Sequence, residues 1–317
     1  MILCETTKIL NFLLACFKKI NNEIKCVYEF NIDLSDGTDI KPDLFAYLPL
    51  EEKYYSLFEF KKRNTTSRED IDNSIRPQYE GYNKLEPTDL KGYLIPRVTD
   101  SVIYINYIFY NSNKDIVERI VEEVPLEDCW IYSKTTDNSL TAIKSIPNTP
   151  NSKLWDKITD FSDDRNQWEK IYIPFTLKDI VDIKGLGGSD VKIARNAGII
   201  ITNNFMFFIQ KKKIKGEKST FSIREFFEYI YRSEFPNLNV GENEREALTG
   251  KIRLFLNYIS EQITNEREID IEPIIKKKSE GEYQILLRKT ETITERIDIL
   301  KEKVIAFFKQ TEITDFF

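Results

Sequence analysis

The chain reads as an α/β protein: a mixed β-sheet core flanked by helices, followed by a mainly helical C-terminal domain with a winged-helix-like part. Three observations predict this. The first is an N-terminal segment whose apolar residues Ile9, Leu10, Leu13, Leu14, Phe17 and Ile20 recur at helical spacing. The second is a set of short runs rich in β-branched and aromatic residues at 24–32, 38–47, 54–61 and 102–110. The third is length: 317 residues, 41% of them hydrophobic and 13% aromatic, suffice for two packed domains. The expected division is a core domain over 1–147, a C-terminal domain over 148–309 and a tail over 310–317.

The elements follow in order. After the N-terminal helix, the runs at 24–32, 38–47 and 54–61 supply the first strands. A polar helix is expected over about 67–85, then a very apolar strand at 102–110, a helix near 115–124 and a short strand at 130–133. The passage Ile146-Pro147-Asn148-Thr149-Pro150-Asn151-Ser152 is polar and proline-rich and reads as a linker. Beyond it, Ile171-Tyr172-Ile173-Pro174 reads as a strand, Thr176 as the cap of a helix over 177–183, and Ser189 as the cap of a second through Asn196. The runs 199–202 and 205–210, joined by Asn203-Asn204, read as a hairpin. That order is the order of a winged helix, with Lys192, Arg195 and Asn196 facing a DNA groove and Lys211, Lys212 and Lys213 along the wing. A generic packing domain is the alternative. Helices near 223–232 and 244–264, a hairpin from 269–277 and 282–289, and a helix over 291–309 complete the chain.

The chemistry concentrates on two neighbouring strands. Lys41-Pro42-Asp43-Leu44-Phe45-Ala46-Tyr47 sets an acid at the start of one, and Ser56-Leu57-Phe58-Glu59-Phe60-Lys61-Lys62 ends the next on an acid and a lysine two residues apart. In an extended chain, residues two apart share a face, so Glu59 and Lys61 project together while Phe60 turns into the core. Two converging carboxylates make a hard-oxygen site suited to Mg²⁺, which keeps coordination positions for water and phosphate. A lysine beside it can orient the attacking water and offset charge on the phosphorus.

Together these residues resemble the PD-(D/E)xK nuclease superfamily, with Pro42-Asp43 as its PD and Glu59-Phe60-Lys61 as its ExK. The resemblance covers about the first half of the chain and implies a restriction-endonuclease-like core. Within the polar helix, Gln78-Tyr79-Glu80-Gly81-Tyr82 matches the Q-x-x-x-Y signature of the RecB-like branch. Positions four apart share a helix face, so Gln78 and Tyr82 both reach the cleft. The resemblance implies that Asp43 and Glu59 hold Mg²⁺ or Mn²⁺, with Glu5 on the first helix as a further candidate. It implies that Lys61 positions water, that Gln78 helps hold the substrate or the metal-bound acid, and that Tyr82 contacts DNA, while Lys62 and Arg63, read from the basic run beside the site, either contact phosphates or line a solvated loop. Set against this, E-x-K often marks a solvated strand end, Pro-Asp is a common turn, and a mid-helix tyrosine is often core.

The end of the chain, Gln310-Thr311-Glu312-Ile313-Thr314-Asp315-Phe316-Phe317, resembles the peptide that docks on the PCNA sliding clamp. One helical turn would bring Ile313, Phe316 and Phe317 together as an apolar plug while Gln310 hydrogen-bonds a polar pocket. The alternative is that the two phenylalanines fold back onto the core. The clamp match points to an archaeal or eukaryotic setting, or a virus of either, hence a cytoplasmic, nucleoid-associated or nuclear location.

Composition excludes several classes. With no histidine anywhere, HNH and HD nucleases, histidine-ligated zinc hydrolases and Ser-His-Asp hydrolases are ruled out. Cys4, Cys16, Cys26 and Cys129 form no C-x-x-C pair, and none lies beyond Cys129, so neither a zinc ribbon nor a cysteine-bound iron–sulfur cluster after the core is indicated. Scattered thiols fit a reducing compartment. No stretch is long enough to span a bilayer, and the N-terminal apolar run, interrupted by Glu5 and Lys8, reads as a buried helix. The net charge of -6 does not advertise nucleic acid, yet basic runs at 211–213 and 276–278 are local.

The expected activity is therefore metal-dependent hydrolysis of DNA, recruited to a clamp for repair or replication. A type II-like restriction endonuclease with a C-terminal recognition domain is one alternative. A non-catalytic, clamp-associated DNA-binding protein is the other. Many family members dimerise to cut both strands, which adds a homodimer to the expected partners.

Overall fold

The apolar residues of the first helix have one side to bury, and they bury it. In the computed structural model of the protein, Ile9, Leu10, Leu13, Leu14 and Phe17 of α1 (Glu5–Ile20) are all at most 1% exposed. The structure describes residues 4–50, 53–61, 67–90, 102–110, 112–133, 139–162, 176, 179, 201, 204–205, 207–209, 211–212, 220–231, 238–265 and 275–285. The chain forms two units. One comprises Lys8–Tyr172 and Glu234–Glu244, and the other Met1–Thr7, Ile173–Ser233 and Arg245–Phe317.

The first unit is built on strands β1 (Lys25–Tyr28), β4 (Leu44–Pro49), β5 (Lys53–Lys61), β6 (Val102–Tyr110), β7 (Asp128–Ser133), β8 (Ser139–Lys144) and β10 (Leu238–Val240). They form one mixed seven-stranded sheet in the order β10-β1-β4-β5-β6-β7-β8. The β5–β6 and β6–β7 pairs are parallel, as is β10 on β1, and the remaining pairs are antiparallel. A small hairpin of β2 (Ile32–Asp33) and β3 (Asp39–Ile40) lies between β1 and β4 in the chain. The predicted α/β class with a mixed, helix-flanked sheet is the one observed.

Both faces of the central strands are buried, which is why β5 reads as an almost unbroken apolar run. Phe45, Tyr47, Tyr55, Leu57, Tyr107, Phe109, Cys129 and Ile131 point to one face. There they meet Ile71, Ile75 and Tyr82 of a helical segment and Val117 and Ile120 of α4 (Lys114–Glu123). On the other face Phe58 packs on Phe17 of α1, ring centroids 5.7 Å apart, and Trp130 stacks on Trp155 of α5 (Pro150–Ser162) at 4.3 Å. That face also carries a buried polar chain in which Asn106 receives Asn151 Nδ2–H at 2.9 Å and Trp155 Nε1–H at 2.7 Å. The passage read as a linker thus opens α5 at Pro150, capped by Thr149, whose hydroxyl accepts the Ser152 N–H at 3.1 Å.

In the second unit, β9 (Thr220–Ser222), β12 (Glu282–Ile285) and β11 (Ile275–Ser279) form an antiparallel sheet in the order β11-β12-β9. Ser222 and Glu225 form a reciprocal capping box at the start of α6 (Ile223–Ile230), and α7 runs Glu242–Asn265. The two helices fall where the sequence places them, and the hairpin pairs Ile275–Ser279 with Glu282–Ile285, while residues 269–274 and 286–289 of the expected hairpin lie outside the described residues.

The expected strand over 205–210 does not form. Ile201, Asn204, Phe205, 207–209, Lys211 and Lys212 are all helical. The burial pattern gives the reason: Ile201, Phe205, Phe208 and Ile209 are buried, whereas Phe207 is 62% exposed. In a strand, residues 205, 207 and 209 would share a face, so this pattern fits only the helical period. The wing expected there is absent, and the winged-helix assignment for those residues is withdrawn. Lys192, Arg195, Lys213, the helix over 291–309 and the tail lie outside the described residues. Among the described residues no helix is long and apolar enough to cross a membrane.

Candidate active site

The site assembles from three local rules. Alternation along β5 directs Glu59 and Lys61 to the face that carries Leu57, while Phe60 goes to the opposite one. Register comes next. β4 runs antiparallel to β5 with Leu44 opposite Phe58, which brings Asp43 level with Glu59. Asp43 Oδ2 accepts the Phe60 N–H at 2.7 Å, so the carboxylate is tied to the strand that carries its partners.

The backbone around Asp43 is anchored from its other side. The Asp43 carbonyl accepts the Glu29 N–H at 3.0 Å. Glu29 has a φ of 51°, a left-handed conformation rare for a non-glycine residue, and its buried carboxylate pairs with Lys41 at 2.8 Å. Gly241, at the end of β10, approaches so closely that a Cβ there would lie 1.9 Å from the Glu29 carbonyl oxygen.

The third rule concerns the helical segment. After α2 (Arg68–Asp70) the chain takes a π-helical turn, Ile71–Ile75, before α3 (Arg76–Tyr82). Arg76 N–H donates to the Ile71 carbonyl, five residues back. Pro77 accounts for the wide turn: it has no N–H, and its ring would strike a carbonyl four residues earlier in a regular α-helix. From α3, Gln78 and Tyr82 lie one turn apart on the same face.

Lys61, Gln78 and Tyr82 meet at the Glu59 carboxylate. Glu59 Oε1 accepts from Lys61 Nζ at 3.1 Å and from Gln78 Nε2 at 3.0 Å, and Glu59 Oε2 accepts from the Tyr82 hydroxyl at 2.6 Å. Lys61 Nζ also donates to Gln78 Oε1. Glu59, Lys61 and Tyr82 are each at most 5% exposed, and Asp43 is 8% exposed. This is a buried, preformed cluster rather than a solvated strand end.

Burial first, and the negative charge of Asp43 second, push the Glu59 carboxyl up from its ordinary 4.5 to about 7, against the pull of Lys61 and Tyr82. Burial and the Glu59 charge likewise hold the Tyr82 phenol well above its ordinary range. A cation held between the two carboxylates would offset the burial and the Asp43 charge that raise Glu59. The donor set of two carboxylates fits Mg²⁺ or Mn²⁺, which retain water ligands, and it does not fit a closed structural cage. Among the described residues no group of three or more acidic or thiol side chains forms a metal cage.

Asp43, Glu59, Lys61, Gln78 and Tyr82 are therefore drawn together. Tyr82, expected to contact DNA, donates its hydroxyl to Glu59 Oε2. Glu5 opens α1 as its first-turn acid and belongs to the second unit. Lys212 is turned to Glu225 at 3.2 Å, and Lys211 lies over the Tyr229 ring. Lys62 and Arg63 lie outside the described residues. Sequence reasoning missed Tyr107, the partner of Glu59 in the β5–β6 ladder, because a tyrosine within an apolar strand carries no local signal. It also missed Glu29 and Gly241, whose importance rests on a strand pairing more than 200 residues apart in the chain.

No protein-family model matches the chain, and neither the curated proteins nor the solved structures include a significant match to it.

Proposed function

We propose that this protein is a metal-dependent nuclease of the PD-(D/E)xK kind that hydrolyses phosphodiester bonds in DNA. The observation that carries the proposal is the convergence of Lys61, Gln78 and Tyr82 on the buried Glu59 carboxylate, with the Asp43 carboxylate tied to the same strand at the Phe60 N–H. Asp43 and Glu59 would hold Mg²⁺ or Mn²⁺. When bound, such an ion acts as a Lewis acid toward a phosphate oxygen and lowers the pKa of its water. Lys61, two residues from Glu59 on the same face, is suited to orient the attacking water and to offset charge on the phosphorane. Gln78 holds both Lys61 and Glu59, and Tyr82 fixes the remaining Glu59 oxygen. Water attacks in line, the P–O3′ bond breaks, the 3′-oxygen takes a proton, and the 5′-phosphate remains with its strand.

The test is cleavage of duplex, single-stranded, forked and mismatched DNA with Mg²⁺ or Mn²⁺. Asp43→Ala and Glu59→Ala should each abolish cutting, by at least about 10³-fold, while the protein still folds. Undiminished cutting by either variant would remove the assignment. Discrete bands from a mixed plasmid would favour the restriction-enzyme alternative, and silence on every substrate would favour the non-catalytic one.

The tail supports a second part of the proposal, recruitment by a PCNA-type clamp through Gln310, Ile313, Phe316 and Phe317. Deleting residues 310–317 should eliminate co-elution with the clamp and leave intrinsic cleavage unchanged. Retained co-elution would sink the docking proposal. DNA contact by the second unit finds its support in Lys276 and Lys278. Both are exposed on the edge strand β11 and form no ion pair among the described residues.

A further inference from the structure

Two tyrosines flank Glu59, and among the described residues only one of them has a hydrogen-bond partner for its hydroxyl. Tyr82 donates to Glu59 Oε2. Tyr107, directly beside Glu59 in the parallel β5–β6 ladder, is 1% exposed, and its buried hydroxyl has no hydrogen-bond partner among the described residues. The two rings meet at an angle of 65° with centroids 6.4 Å apart, so Tyr107 forms the wall behind Tyr82 and Glu59. Its hydroxyl feels the Glu59 charge, which raises its proton affinity more than any influence except burial. A phenylalanine would fill the same volume without stranding a polar atom. A fully buried, unmet hydroxyl is rare enough in a folded protein to need an explanation.

The explanation lies in what Lys61 does at rest. Its ammonium is held by Glu59 and Gln78. To serve a water or a phosphate it must turn away, and Glu59 then loses a donor at the moment its orientation matters most. We infer that Tyr107 is a positioning residue whose hydroxyl donates to the Glu59 carboxylate once Lys61 has turned to the substrate. It keeps Glu59 aimed at the cation through the reaction. This inference rests on the hydrolytic function proposed above.

Tyr107→Phe in the full chain is the test, with three readouts: steady-state cleavage, Mn²⁺ binding by titration calorimetry, and melting temperature. The expected result is a kcat about tenfold lower with KM for DNA unchanged, Mn²⁺ binding weakened by about threefold or more, and an unchanged or higher melting temperature. Full kcat and full Mn²⁺ affinity with a raised melting temperature would overturn the inference and leave Tyr107 as a core ring. A loss of kcat in step with a fall in melting temperature would overturn it too, because removing an unmet hydroxyl does not weaken a core. If the wild-type protein cleaves nothing, the hydrolytic proposal fails, and the Mn²⁺ titration still decides. Weaker binding by Tyr107→Phe supports the role at Glu59, and equal or absent binding in both proteins ends it.

Discussion

Glu59→Gln offers the sharpest physical test of the site, because it asks about charge before it asks about catalysis. In the metal-free protein, burial and Asp43 move the Glu59 carboxyl from 4.5 to about 7. The folded state therefore binds this proton more tightly than the unfolded state does. Its contribution to stability is fully present below pH 4.5 and is lost as pH rises through about 7. A displacement of that size corresponds to roughly 3 kcal/mol. Glutamine cannot titrate, so wild type should lose roughly 3 kcal/mol relative to Glu59→Gln between pH 4 and pH 8. Any damage from facing an amide to the Tyr82 hydroxyl is independent of pH and drops out of that comparison. The assay is urea unfolding in EDTA followed by circular dichroism at intervals across this range. Adding Mg²⁺ at pH 8 should restore the wild type and leave the variant unmoved, since only the carboxylate gains from a cation. A stability difference constant to within about 0.5 kcal/mol across the range would refute the electrostatic argument, however active the enzyme proved.

Two further perturbations separate the supports of the cluster. Tyr82→Phe removes the 2.6 Å hydrogen bond that favours ionised Glu59, so the acid limb of the cleavage profile should move to higher pH by up to about one pH unit; an unmoved limb would show that this bond does not tune the carboxyl. Gly241→Ala would drive a Cβ to 1.9 Å from the Glu29 carbonyl, forcing β10 off β1 next to the strand that anchors Asp43. It should destabilise the protein by about 2 kcal/mol or more, read by denaturant midpoint, and a neutral outcome would mean the edge strand yields freely.

What was legible in the sequence was local. The stripe of α1, the apolar strands 54–61 and 102–110, the two-residue spacing of Glu59 and Lys61 and the four-residue spacing of Gln78 and Tyr82 all follow from backbone periodicity. The helix through Phe205 and Phe208 was misread because a dense aromatic run satisfies both periods, and only burial, with Phe207 exposed, separates them. The start of α5 was written in Thr149-Pro150-Asn151-Ser152 as a cap followed by proline at the first helical position. Proline content disguised it as a linker. The parallel pairing of Leu238–Val240 with β1 left no such trace, since a three-residue edge strand has no period to detect.

The site nevertheless depends on a coincidence that no single one of those patterns contains. A one-residue slip of β4 against β5 would turn Asp43 to the opposite face, away from Glu59. A similar slip of β6 would exchange Tyr107 for Asn106 or Ile108, which face the α1 and α5 side. Replacing the π turn with a regular one would rotate Gln78 and Tyr82 by roughly 100° about the helix axis, off the carboxylate they hold. Three registers, set by different forces, must agree before Lys61, Gln78 and Tyr82 all donate to one buried glutamate beside a second carboxylate. An ion pair at a solvated strand end would need none of them. That agreement, more than the short motifs themselves, is what makes a hydrolytic role for Glu59 the reading worth testing first.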